Sequence, residues 1–132
     1  MGGFAAGEGG LWVANFANVQ HVDPVSATVR GTVHIDSPFL SPVVAFRTVW
    51  VATDDAVERI DPATDGLLRP IELTQPAGIA PPPYIAAGEG AVWVVLDATL
   101  SRIDPVSNAI VKETTPVPGS TAIAVGARAP SG

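Results

Sequence analysis

The chain of 132 residues has no cysteine. Disulfide staples and thiolate metal sites are therefore excluded, while any redox compartment stays open. Lysine is nearly absent too: Lys112 stands alone, and the arginines are scattered along the chain. With a net charge of −6 and no massed cations, the surface cannot neutralise a phosphate backbone, which excludes nucleic acid as a partner. No stretch approaches the roughly 20 uninterrupted apolar residues of a membrane helix. The opening MGGFAAGEGG lacks the basic start and apolar run of a secretory signal, so any leader is expected upstream of it and the compartment is left open.

What is present is apolar and heavily punctuated. Hydrophobic residues make up 47% of the chain, above the range of disordered sequences. Thirteen glycines and thirteen prolines fit short strands joined by many turns.

One sentence is written three times: LWVANFANVQHVDPVSATV from Leu11, VWVATDDAVERIDPATDGLLR from Val49, and AVWVVLDATLSRIDPVSNAIV from Ala91. Trp12, Trp50 and Trp93 are 38 and 43 residues apart, and Asp23, Asp61 and Asp104 follow them at a constant 11. A fixed inner distance with a variable outer one confines the length change to a single loop, the proline-bearing TQPAGIAPPPY of residues 74–84. A period of about 40 residues admits propeller blades, helical repeats or a solenoid. The segments LWVANF, VWVATD and VWVVLD are short, rich in valine and aromatics, and bounded by turn residues, so they predict strands. TVRGTVHI, LLRPIEL and AIVKETT predict further ones. Each unit then holds about four strands, the content of one propeller blade. In the third unit the expected strands are 84–87, 91–96, 100–103 and 109–114. The apolar second strand fits a position covered on both faces.

The segments WVAN at Trp12–Asn15 and WVAT at Trp50–Thr53, together with the [RH]-[IV]-D-P-x-[ST] turns, resemble the YVTN-type β-propeller repeat. That superfamily includes the virginiamycin B (streptogramin) lyase-like and NHL-like propellers. The resemblance implies an all-β fold of four-stranded antiparallel blades: blade 1 about 4–41, blade 2 about 42–83, blade 3 about 84–121, and the first strand of a fourth at about 122–126. Propellers close with about 4 to 8 blades. Either the chain is a piece of a longer propeller, or copies assemble into a ring, two chains giving six blades.

Several residue groups invite chemistry, and most have a structural reading. The tryptophans recur inside apolar strands and read as inter-blade core. Asp23, Asp61 and Asp104 each precede Pro and read as turn formers, since Asp accepts a backbone N–H two residues on while Pro presets φ. Glu8 and Glu89 read as solvated turn residues. His21, in register with Arg59 and Arg102, is expected at an exposed strand position. His34 aligns with Glu72 and Thr115. No His-and-Glu pattern of the lyase kind can be matched, so no catalytic residue and no metal ligand is assigned; Mg²⁺ enters only if the lyase alternative holds.

The irregular loops that join the second strand to the third, and one blade to the next, share one end of a propeller, where ligands usually sit. They carry Asn15, Asn18, Asp36, Phe39, Asp54, Asp55, Gln75, Tyr84, Asp97 and Thr99. The four carboxylates there, Asp36, Asp54, Asp55 and Asp97, favour a cationic or hydroxyl-rich ligand, or a divalent ion. The expectation is a binding or scaffold module for a protein, peptide or glycan. A lyase-like enzyme fragment and a self-assembling structural repeat are the alternatives.

Overall fold

The computed structural model describes residues 4–7, 10–15, 17–35, 37, 40–53, 55–73, 83–96 and 99–114. These form strands and turns only, in three antiparallel sheets. The first sheet runs β1 (Phe4–Gly7), β2 (Gly10–Asn15), β3 (Asn18–Asp23) and β4 (Thr28–His34), paired in chain order. The second holds β5 (Ser41–Ala45), β6 (Thr48–Ala52), β7 (Ala56–Asp61), β8 (Gly66–Leu67) and β9 (Ile71–Glu72). The third holds β10 (Tyr84–Gly88), β11 (Ala91–Leu96), β12 (Thr99–Asp104) and β13 (Ala109–Thr114). The expected opening of a fourth unit lies outside the described residues.

The second sheet departs from four strands because its outer edge is broken. Both β8 and β9 pair with β7, and the interruption falls at Leu68–Pro70, where Pro70 has no N–H to give the ladder. Arg69 O is used instead by the Arg59 side chain, whose Nε donates to it at 3.1 Å. The first and third sheets carry a bulge at equivalent places, after His21 and after Arg102, so one outer-strand residue in each goes unmatched.

The inner strands hold the sheets together. β5 packs against both β1 and β10, so each sheet fans outward from a shared centre with its fourth strand at the rim. Between the first two sheets lies one apolar cluster, Trp12, Ala14, Val19, Val33, Ile35, Leu40, Val49, Val51 and Ile60. Between the second and third lies another, Trp50, Ala52, Val57, Ile71, Leu73, Val92, Val94, Leu96 and Ile103. In each case the tryptophan face of one sheet meets the opposite face of the next. The middle sheet is therefore covered twice, and Val49, Trp50, Val51 and Ala52 are all buried along β6. β2 alternates buried and half-buried, as a strand covered on one face must.

Candidate functional site

Because neighbouring strands are antiparallel, the start of each first strand, the end of the second, the start of the third and the end of the fourth lie at one end of the sheets. Five of the sequence-derived candidates are described there. Asn15 and Asn18 face each other across the end of the β2–β3 ladder. Asp55 is exposed just before β7, Thr99 opens β12 half-buried, and Tyr84 opens β10 with 38% of its surface exposed. Asp36, Phe39, Asp54, Gln75 and Asp97 lie outside the described residues.

The same end carries residues that sequence reasoning did not name as site residues. Phe4 begins β1, 73% exposed, beside the centre where the inner strands meet. His34 ends β4, with Nδ1 3.4 Å from Asn18 Oδ1, and Glu72 ends β9. The alignment of His34 with Glu72 held the signal, since both fall on the last residue of an outer strand.

The loop before Asp55 is built on the buried Thr53. Its Oγ1 accepts from the N–H of Ala56 (3.0 Å) and of Asp55 (3.3 Å), and lies 3.1 Å from Asp55 Oδ1. Backbone bonds Thr53 N–H to Ala56 O and Leu73 N–H to Asp55 O close the loop. The exposed Asp55 carboxylate thus sits beside the Thr53 hydroxyl, whose Oγ1 also lies 3.0 Å from Ala56 O. With burial as the larger cause, Asp55 also helps push the half-buried Glu58 carboxyl above its ordinary value.

The opposite end is regular. Asp23, Asp61 and Asp104 accept from the N–H of Val25 (2.8 Å), Ala63 (2.9 Å) and Val106 (3.0 Å). Each turn then closes through a left-handed residue, Ala27, Asp65 or Asn108, whose N–H returns to the aspartate carbonyl. The accepted hydrogen bond from Val25 holds the Asp23 carboxyl below its ordinary value, and that from Val106 does the same for Asp104. The inner hairpins at this end turn through Phe46-Arg47 and Glu89-Gly90, all at positive φ as a two-residue hairpin demands. Glu89 is exposed, and Glu8 lies outside the described residues.

His21 overturns its expected place. It is 4% exposed, its ring stacked on Trp12 with centroids 4.0 Å apart at 14°. Nδ1 stands 2.7 Å from Asp65 Oδ1, on the turn of the second sheet. A carboxylate can only accept, so Nδ1 carries the proton. Nε2 has no partner among the described residues. Register with Arg59 and Arg102 predicts exposure, but their longer side chains reach out where the compact imidazole lies flat. Glycines make the room: a Cβ on Gly10 would overlap the imidazole, and one on Gly31 would lie 2.6 Å from Asp65 Oδ2. Trp12 and Trp50 are fully buried as core residues, while Trp93 is half-buried, with the Arg102 guanidinium 5.6 Å from its ring centre.

The chain matches no family model and no curated protein. It is similar in structure to hydrazine synthase of Kuenenia stuttgartiensis, with TM-score 0.71, 17% identity, and coverage of 84% of this chain and 36% of that one. Apo AztD from Citrobacter koseri gives 0.70 at 20% identity, with 85% and 34% covered. The Pan2 WD40 domain of Neurospora crassa gives 0.63 at 13%, with 85% and 35% covered. All three are β-propeller proteins. The fold is a partial β-propeller. The three sheets are blades, and the chain spans about a third of the length of these neighbours.

Proposed function

We propose that the chain is a propeller binding module that takes a hydroxyl-rich or cationic ligand, a glycan or a basic peptide, on the loop end of its blades. One observation carries the reading: exposed aromatic rings at the starts of inner strands, Phe4 and Tyr84, share that end with Asn15, Asn18, Asp55 and Thr99. Aromatic faces supply apolar contact to a sugar or an aliphatic side chain, and the amides and carboxylate fix its polar groups. The blades hold these groups from a packed scaffold, while the loops are free to vary. The YVTN, NHL or lyase-like kinship stays part of this proposal. The lyase alternative draws no support from the described histidines, because His34 ends a rim strand and His21 is enclosed between blades.

Amide spectra of the isotope-labelled chain, titrated with a neutral oligosaccharide and with a lysine-rich peptide, test it. Perturbed signals are expected at Asn15, Asn18, Asp55, Tyr84 and Thr99, and Tyr84→Ala is expected to weaken them. Perturbations centred on the turns at Asp23, Asp61 and Asp104 would refute the placement.

A further inference from the structure

Among the described residues, two faces at opposite ends of the three sheets are less covered than their repeat equivalents, and each is the complement of the other. On the first blade, Leu11, Val13 and Val22 are half-buried, whereas their repeat equivalents Val49, Val51 and Ile60, and again Val92, Val94 and Ile103, are fully buried. On the third blade, Trp93 and Leu100 are half-buried, whereas Trp12 and Trp50, and Val19 and Val57, are fully buried. In both internal junctions the tryptophan face of one blade covers this same second face of the next. The Trp93 face is therefore the donor half of a junction the chain already builds twice, and the Leu11–Val13–Val22 face is the acceptor half.

We infer that the occupant of both faces is a second copy of this chain, the Trp93 face of each copy seating on the Leu11–Val13–Val22 face of the other. The contact is heterologous, and two such contacts related by a two-fold axis close a ring of six blades, within the range of about 4 to 8 that propellers use. A second copy is favoured because it carries both matching faces in the geometry of junctions already formed. The pairing also predicts one imperfect spot. At the first junction the residue stacked on tryptophan, His21, meets Asp65 of the following blade. At the inferred junction Arg102 lies over Trp93, and the turn residue at the Asp65 position is Ala27, which has no acceptor but the same left-handed φ, 57° against 59°.

Light scattering on the full 132-residue chain across micromolar concentrations tests the inference. The expected result is a plateau at twice the 13.5 kDa chain mass. Val13→Glu and Leu100→Glu are each expected to give monomers that keep their strand circular dichroism. Ala27→Asp places a carboxylate where Asp65 and Asn108 already tolerate the backbone, and is expected to lower the dimer dissociation constant about 2- to 5-fold. That gain disappears in an Arg102→Gln background. A wild-type monomer, a mass that climbs without a plateau, or a gain from Ala27→Asp that survives Arg102→Gln would overturn the pairing. Should Val13→Glu and Leu100→Glu fail to fold, Ala27→Asp with and without Arg102→Gln decides alone.

Discussion

The His21–Asp65 contact is the sharpest place to test how the first two blades are joined. Asp65→Ala removes the acceptor of an N–H on a ring that is 4% exposed, at a contact of 2.7 Å. Leaving a buried donor unpaired costs about 1–3 kcal/mol. The Asp65 side chain is 28% exposed, so water partly replaces it, which places the expected loss at about 1–2 kcal/mol. At about 4 °C per kcal/mol for a chain of this size, the melting temperature should fall by about 4–8 °C. Asp65→Asn keeps an acceptor and should lose about half as much, since charge-assisted hydrogen bonds are roughly twice as strong as neutral ones. His21→Ala should cost more than either, because it also empties the space against Trp12.

The assay is a double-mutant cycle by urea unfolding near neutral pH at fixed chain concentration, since association shifts apparent stability. A coupling of about 0.5–2 kcal/mol between His21→Ala and Asp65→Ala is expected for residues in direct contact. Additive losses, within about 0.3 kcal/mol, would refute the reasoning and leave the junction to its apolar cluster alone.

Three further outcomes follow from the same geometry. Gly10→Ala should destabilise by about 1–3 kcal/mol, because the new methyl meets an imidazole held by Trp12 and Asp65; His21→Ala should absorb most of that loss in a thermal-melt comparison. The depressed Asp23 and Asp104 carboxyls contribute stability that is present above their ordinary value of 3.8 and lost as pH falls through the lower folded value. Asp23→Asn, which can keep the turn, should flatten the acid limb of a melting-temperature profile. Glu58 has the opposite sign: its raised folded value favours the folded state at low pH and loses that advantage as pH rises through it. Glu58→Gln should therefore stabilise by a few tenths of a kcal/mol near neutral pH, within the range of ordinary surface changes, and the gain should vanish in acid.

The blade plan was readable in the sequence because its cues are local and repeated. Tryptophan spacing marked the second strand, and Asp-Pro marked the outer turn. The third unit needed only one- or two-residue adjustments, as Thr99–Asp104 against an expected 100–103. The break at Leu68–Pro70 has its cue in the sequence as well, a proline inside the expected LLRPIEL strand. His21 departs from its expected exposure for a different reason. Alignment to Arg59 and Arg102 compares residues along the chain, whereas its burial depends on Asp65 across a junction and on the space left by Gly10 and Gly31. For the loop end, chain order gave the grouping, while the inward tie of Asp55 to Thr53 depends on a turn that no spacing announces.

The three junction positions beside tryptophan show how near-identical blades are told apart. Apart from the tryptophan, the buried residues that meet there are drawn from the same few apolar types, valine, isoleucine, leucine and alanine. Such faces give adhesion but little choice of neighbour. The polar position next to each tryptophan differs from blade to blade. His21 crosses to Asp65, Arg59 turns back to its own blade's Arg69 carbonyl, and Arg102 covers Trp93. Gly10 and Gly31 accompany only the first arrangement, where the other blades have Thr48 and Arg69, or Ala91 and Lys112. A second blade placed against Trp12 without an acceptor at its turn would strand a buried N–H. The His–Asp pair therefore penalises the wrong neighbour more than it strengthens the right one, which is how a polar contact imposes order on a repeat whose apolar faces cannot.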